Sequence, residues 1–224
     1  GDASYGGDMS KSNRIGDISN IVQIYCTNRA FAALKNDGTV RSWGDLNYGG
    51  DMTIPVDVID ISNVCQIYST QNAFAALKED GTVKCWGNMA TGGDMTIPVD
   101  VSNLSNVVQI YSTQNAFAAL KEDSTVKCWG NRYYGGDMTN KWYNGEDVSD
   151  LSNVIQIYST YSCFAALKND GTVRFWGDID FGDDIYHIEK LNNLTNIVQI
   201  YSSKYNFAFL DGNNIATFSN KFNK

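Results

Sequence analysis

The sequence has 224 residues and a single histidine, His187. Histidine-based metal sites and catalytic triads therefore have almost nothing to build on. His187 stands in Asp184-Ile185-Tyr186-His187, an irregular stretch, and reads as a solvated side chain. No run of about 18 apolar residues occurs, which excludes a membrane-spanning helix. Charged residues make up only 19%, and basic ones are the scarcer kind: 17 Lys and Arg against 25 Asp and Glu, a formal net charge of −8. Nucleic acid requires a basic face, so it is not an expected partner. The five cysteines, Cys26, Cys65, Cys85, Cys128 and Cys163, are odd in number and contain no Cys-x-x-Cys pair. They read as free thiols, argue against a disulfide framework, and favour an intracellular compartment without fixing one. No nucleophile elbow, phosphate loop or metal-ligand spacing is present, so neither enzymatic activity nor a cofactor is expected. The chain opens on Gly1, which reads as a processed chain or a piece of a longer one.

Apolar residues reach 43%, aromatics 12%, and there are 20 glycines against two prolines. That composition supplies a core and many turns, and it suits short strands. Self-comparison shows how they are organised. Gln-Ile-Tyr recurs five times, placing Tyr25, Tyr68, Tyr111, Tyr158 and Tyr201 at steps of 43, 43, 47 and 43 residues. Each copy continues into an apolar run, such as Phe31-Ala32-Ala33-Leu34, then a turn such as Asp37-Gly38, then Thr-Val-x-x-Trp-Gly. The tryptophans are Trp43, Trp86, Trp129 and Trp176, and Phe218 is taken as the fifth. A Gly-Gly-Asp element follows at 6–8, 49–51, 92–94 and 135–137, altered to Gly182-Asp183-Asp184 in the last copy.

Each unit reads as three short antiparallel strands. Val22-Gln23-Ile24-Tyr25 alternates apolar and polar, as a half-buried strand does. Phe31 to Leu34 is apolar on both faces, as a middle strand would be. Asp-Gly closes the following hairpin, and Ser124 in place of glycine predicts a third turn that is slightly strained or of another type. Thr53-Ile54-Pro55-Val56 suggests a fourth, outer strand, its proline marking an edge. One such sheet is marginal alone, so the units must stack. The expected fold is all-β: a single five-bladed β-propeller over residues 1–224, with units near 1–43, 44–86, 87–129, 130–176 and 177–224. Gly1-Asp2 repeats Gly44-Asp45, so the N-terminal half-unit is expected to complete the last blade and close the ring.

The run from Trp43-Gly44 to Trp86-Gly87, with its Gly-Gly, Thr-Ile-Pro-Val and Ala-Leu-Lys-x-Asp-Gly-x-Val-x-x-Trp-Gly, resembles the repeat of the regulator-of-chromosome-condensation (RCC1) superfamily. The 43-residue spacing is similar to its short-repeat bacterial members, such as the propeller-type β-lactamase inhibitor. The resemblance implies a propeller that works through protein surfaces on one face. Well-known members have seven blades where this chain has five units, and many have Gly-Gln where it has Gly-Gly-Asp.

Two rings of repeated residues and one set of variable ones are the candidate sites. Asp8, Asp51, Asp94, Asp137 and Asp183 form either a carboxylate ring for cations or a basic partner, or turn residues that accept backbone N–H groups. Gln23, Gln66, Gln109, Gln156 and Gln199 line a channel or bond blade to blade. The variable positions are the better candidates for specificity. Between the first two strands they are Asn28-Arg29, Gln71-Asn72, Gln114-Asn115, Tyr161-Ser162 and Lys204-Tyr205. After the tryptophans they include Tyr48, Tyr133 and Tyr134. Trp142 and Tyr143 sit in the four-residue insertion, where the blade itself does not require them. Aromatic residues on loops are favoured anchors, and a loop folded over its own blade is the alternative. Four functions follow: a protein-interaction scaffold, a structural subunit of a larger assembly, a multivalent carbohydrate-binding propeller, and, by family analogy alone, an exchange factor for a small GTPase.

Overall fold

The computed structural model describes residues 2, 5, 17–51, 61–95, 103–138, 151–178, 191 and 193–219. They form five three-stranded antiparallel sheets, each a simple meander. The first holds β1 (Ile21–Cys26), β2 (Ala30–Lys35) and β3 (Val40–Gly44). The second holds β4 (Val64–Ser69), β5 (Ala73–Lys78) and β6 (Val83–Gly87). The third holds β7 (Val107–Ser112), β8 (Ala116–Lys121) and β9 (Val126–Gly130). The fourth holds β10 (Val154–Ser159), β11 (Cys163–Lys168) and β12 (Val173–Gly177). The fifth holds β13 (Ile197–Ser202), β14 (Phe207–Asp211) and β15 (Ala216–Phe218). The Gln-Ile-Tyr strands β1, β4, β7, β10 and β13 contact one another in succession, so they form the inner wall. The segments around Pro55 and Pro98, where a fourth strand was expected, lie outside the described residues.

The inner strand departs from simple alternation. Ile21 pairs with Lys35 and Gln23 with Leu34, so Val22 is the extra residue of a β-bulge. The same bulge recurs in the other four sheets. It turns Val22, Val108, Ile155 and Val198 out to solvent, together with Cys65, while in the second to fifth sheets the next-but-one isoleucine is buried.

Packing is organised by seams between neighbouring sheets. From the first sheet, Ala30, Ala32, Leu34 and Val40 meet Val64, Ile67, Phe74 and Trp86 of the second. The next three seams repeat this pairing. Alanines on the middle strand bring the sheets close, and the Phe-Trp stack fills the wider part, at 5.2 Å between the rings of Phe74 and Trp86. Hydrogen bonds stitch the same seams. The hairpin tip of one blade accepts from the inner strand of the next: Val64 N–H to Gly38 O at 3.0 Å, Val107 to Gly81 at 3.0 Å, Val154 to Ser124 at 3.0 Å and Ile197 to Gly171 at 2.9 Å. Trp86 Nε1–H donates to Gly49 O at 3.1 Å and Trp129 to Gly92 O at 3.2 Å. The linker glycines therefore lie over the next blade's aromatic pair.

The two end faces differ from these seams. Ile24 is 53% exposed, whereas Ile67, Ile110, Ile157 and Ile200 are each 1% exposed. At the other end Phe218 is 59% exposed, and its register counterpart Phe175 is 3% exposed. Most of the residues expected to close the ring, 3–4, 6–16 and 220–224, lie outside the described residues. One described N-terminal residue, Tyr5, has its ring 4.7 Å from the Arg29 guanidinium of the first sheet.

The last sheet is also phased differently from the sequence expectation. Ala208 pairs with Phe218 as Ala165 pairs with Phe175, so Phe218 is not in the tryptophan slot. Ser219 takes that place, buried, and its hydroxyl bonds both Phe207 N–H at 2.7 Å and Phe207 O at 3.1 Å. Of the two expectations for the third hairpin the strained turn holds, not another type: Ser124 adopts the left-handed conformation, φ 64°, that glycine takes in the first, second and fourth. In the fifth, Asn214 does so at φ 63°.

Candidate binding face

Antiparallel meanders put the loops between first and second strands at one end of every blade, with the Asp-Gly hairpins at the other. Those loops form one continuous rim. Asn28 N–H donates to Gln71 O at 2.9 Å, Gln71 N–H to Gln114 O at 2.8 Å, Gln114 N–H to Tyr161 O at 2.9 Å, and Tyr161 N–H to Lys204 O at 2.7 Å. The first three loops are also tied to the turn that follows their own blade: Thr27 Oγ1–H donates to Tyr48 O at 2.9 Å, Thr70 to Thr91 O at 3.1 Å and Thr113 to Tyr134 O at 2.8 Å. Three such turns are single 3-10 turns, Leu46–Tyr48, Met89–Thr91 and Arg132–Tyr134, opened by an Asp or Asn cap and closed by a left-handed glycine. The side chains on this rim are therefore carried by backbone bonded from blade to blade, and in the first three blades to the following turn as well.

Aromatic and cationic side chains gather at the two ends of the rim. On the first blade the Arg29 guanidinium lies 4.7 Å from the Tyr5 ring centre and 5.1 Å from that of Tyr48, with Asp45 3.9 Å away. On the third to fifth, Tyr161 stands between Tyr134, at 6.2 Å, and Tyr205, at 5.7 Å. Lys204 lies over both Tyr161 and Tyr205, at 5.3 and 5.0 Å. Its contact with the Tyr205 hydroxyl raises its pKa above the usual lysine range. Tyr133 projects outward on its 3-10 turn, its hydroxyl accepting from Arg132 at 2.6 Å. Between the clusters the rim is polar: Gln114 Nε2–H donates to Gln71 Oε1 at 2.6 Å. Gln114 Oε1 and Asn115 Oδ1 are buried without an acceptor's partner.

Of the residues singled out in the sequence, Arg29, Tyr48, Tyr134, Tyr161 and Tyr205 thus share one face. Trp142 and Tyr143 lie outside the described residues, as do Asp8 and Asp183. Asp51, Asp94 and Asp137 are half-buried beside the glycine pairs. The glutamines belong to the inner wall. Gln199 Nε2–H bonds the Tyr158 hydroxyl of the preceding blade at 3.1 Å, an inter-blade contact, while Gln109 turns to Ile110 O at 3.4 Å, and Gln23 and Gln156 are exposed. Lys204 was among the variable positions read as candidates for specificity, and one member of the face, Tyr5, was not. Tyr5 was legible as the counterpart of Tyr48, since Gly1 to Asp8 repeats Gly44 to Asp51 at most positions.

The opposite end carries acids of a different kind. Asp37, Asp80, Asp123 and Asp170 each accept from the hydroxyl and the backbone N–H of the threonine two residues on, which holds their carboxyls below the usual range. These are turn contacts. Among the described residues no three His, Cys, Asp or Glu side chains are grouped to hold a metal ion, and no helix is long and apolar enough to cross a membrane.

Sheets of this kind, stacked about an inner wall of first strands, define a β-propeller. The fold is RCC1-like. The chain is similar to Prp20p from Saccharomyces cerevisiae at 20% identity and a TM-score of 0.53, over 88% of this chain and 57% of that one. That protein has been described for its binding to Gsp1p and histones. It is similar to the same yeast RCC1 bound to Kap60 at 20% identity and a TM-score of 0.53, over 88% and 55%. The CRINKLY ectodomain of the Arabidopsis thaliana receptor kinase ACR4 matches at 10% identity and a TM-score of 0.51, over 88% and 65%. The chain spans little more than half the length of the Prp20p chains it matches. No protein-family model matches the sequence, and no curated protein matches it significantly.

Proposed function

We propose that this protein is a non-catalytic interaction module that binds another protein across the loop rim. The observation that supports it is the pair of aromatic-cationic clusters on a backbone-bonded rim. Tyr205 is 61% exposed, yet its loop is fixed from the fourth blade by the Tyr161–Lys204 bond. Aromatic rings held in this way lose little entropy on binding, which is why they serve as anchors. Arg29 and Lys204 favour a partner segment with acidic side chains. The 43-residue spacing supports grouping the chain with the short-repeat bacterial members of the superfamily.

The test is cross-linking pull-down with the wild type and with Arg29→Ala, Tyr161→Ala and Tyr205→Ala. Loss of the same partner band in all three is the expected result, and unchanged recovery in all three refutes the rim as the binding face. One carbohydrate pocket per blade is less favoured, because the rings cluster at blade one and at blades three to five, while the rim of blade two carries Gln71 and Asn72. A structural role in a larger assembly is the second reading, and the exposed apolar side chains of Ile24 and Phe218 are what favour it.

A further inference from the structure

We infer that the inner wall, at its hairpin end, is a second docking site, and that its partner is a protein segment with a bulky apolar side chain between lysines or arginines. The β-bulge of each first strand turns one side chain out of the ladder on this wall: Val22, Cys65, Val108, Ile155 and Val198. The four aliphatic ones are 48–62% exposed, and Cys65 is exposed too. Cys65, Val108 and Ile155 stand on blades with a neighbour on either side, so the stacking of blades does not cover them. Strand propensity alone does not account for the row, because the next residue of the same strand is glutamine in every copy. The wall is thus polar at one level and apolar at the level beside it. Exposed apolar side chains at contiguous positions mark a binding surface.

The hairpin tips supply the charge that selects the partner. Gly38 O accepts from Val64 N–H at 3.0 Å, so the residue after Asp37 is bonded to the residue before Cys65. The same bond brings the Asp80 tip to the strand of Val108, the Asp123 tip to that of Ile155 and the Asp170 tip to that of Val198. These carboxyls accept from the following threonine, which keeps them charged. Glu79 and Glu122 are exposed on the same hairpins. The lysines there are already engaged: Lys35 Nζ lies 3.3 Å from Asp17, Lys78 3.6 Å from Asp80 and Lys121 3.4 Å from Asp123, while Lys168 attracts the charge of Asp170. In the fifth sheet Ile197 pairs with Asp211, where Ile21 of the first pairs with Lys35. The mouth of the apolar row is therefore net acidic, the reverse of the loop rim with Arg29 and Lys204. Basic flanks are drawn to such a mouth, and an apolar tip between them reaches the row behind it.

Fluorescence anisotropy with labelled peptides tests this. Lys-Lys-Leu-Phe-Leu-Lys-Lys should bind, and more weakly as salt is raised. Lys-Lys-Ser-Gly-Ser-Lys-Lys keeps the charge without the apolar tip and should bind about tenfold more weakly or worse. Val108→Thr combined with Ile155→Thr should weaken the first peptide roughly tenfold. Glu79→Gln combined with Glu122→Gln should weaken it and flatten its salt dependence. All four replace exposed side chains, and unchanged thermal midpoints confirm that the variants fold. Location is read on the wild type by mass spectrometry of thiol labelling. The bound peptide should slow labelling of Cys65 and leave Cys26, at the other end of its inner strand, as before. Glu-Glu-Leu-Phe-Leu-Glu-Glu, which suits the loop rim, should leave Cys65 unprotected. The inference is overturned when the first peptide does not bind, when the two lysine peptides bind alike, or when Cys65 stays as reactive as before. A Cys65 that resists labelling in the free protein overturns it too, since the chain itself would then cover the row. Tyr161→Ala should bind the first peptide as the wild type does, so this proposal and the rim reading fail separately.

Discussion

Gly49→Ala measures how tightly a seam is closed. Gly49 lies between the first 3-10 turn and the second blade with φ +90°, and a Cβ built there stands 2.6 Å from Phe74 Cδ2 and 2.9 Å from Cε2. Phe74 cannot retreat, being fully buried and stacked on Trp86 at 5.2 Å. Trp86 is itself held by its Nε1–H bond to Gly49 O, so a shift of the glycine strains that bond as well. An L-residue in the left-handed region costs about 1–2 kcal/mol, and an added methyl in a close-packed core about 1–3 kcal/mol. Taking a total near 3 kcal/mol, a chain of this size should lose roughly 6–12 °C in thermal midpoint. Circular dichroism melts at fixed protein concentration give the number, with Asn47→Ala, an exposed neighbour, as the control expected within about 0.5 kcal/mol of wild type. Gly92→Ala and Gly135→Ala should behave alike, since their Cβ atoms would also stand 2.6 Å from Phe117 and Phe164. A fall below about 2 °C in all three would show that the seams have slack, and the account of the Gly-Gly pair would fail.

The remaining predictions use the same measurements. Ser124→Gly should gain about 1 kcal/mol in urea unfolding, because it relieves a left-handed serine at φ 64°; a loss would mean that the serine side chain supports the turn. Asp17 accepts from the Ser19 hydroxyl and backbone N–H and from Lys35, and its carboxyl is lowered to about 2. Its folded pKa lies below the unfolded one, so its contribution is complete above about pH 4 and is lost as pH falls through the folded value. The four hairpin aspartates act in the same sense, so Asp17→Ala combined with alanine at 37, 80, 123 and 170 should flatten the acid limb of the stability curve; an unchanged acid limb refutes this. A thiol reagent should label Cys26 and Cys65 in the native protein and leave Cys85, Cys128 and Cys163 unreacted, with burial also pushing the Cys163 thiol up; rapid labelling of Cys163 refutes its placement in the fourth seam.

Much of the fold was legible because each unit needs the same contacts. A period of 43 residues, the Ala-rich run and the turn residues identify three strands per unit, and all fifteen are present among the described residues. What escaped depends on pairing between strands. Val22 looks like a core residue until the bulge takes it out of register, and Phe218 looks like a tryptophan substitute until its partner proves to be Ala208. Asn20, Asn63, Asn106, Asn153 and Asn196 all take the left-handed conformation before an inner strand, with φ 57–59°. Their recurrence was visible, but turn geometry was not. The anchors were legible as departures from the repeat, since Tyr161 and Tyr205 replace Gln and Asn. That Tyr161 packs on Tyr205 from the next blade is a tertiary fact, set by the rim bond between their loops.

The rim is shaped across seams as well as within blades, since a loop N–H donates to the next loop's carbonyl, so a blade's loop position depends on the blade beside it. The loops of Arg29 and of Lys204–Tyr205 carry the cationic parts of the rim clusters. Each is joined to a neighbouring blade, Asn28 N–H to Gln71 O and Tyr161 N–H to Lys204 O, so the placement of each cation toward an acidic partner is set by two blades together rather than by its own loop alone.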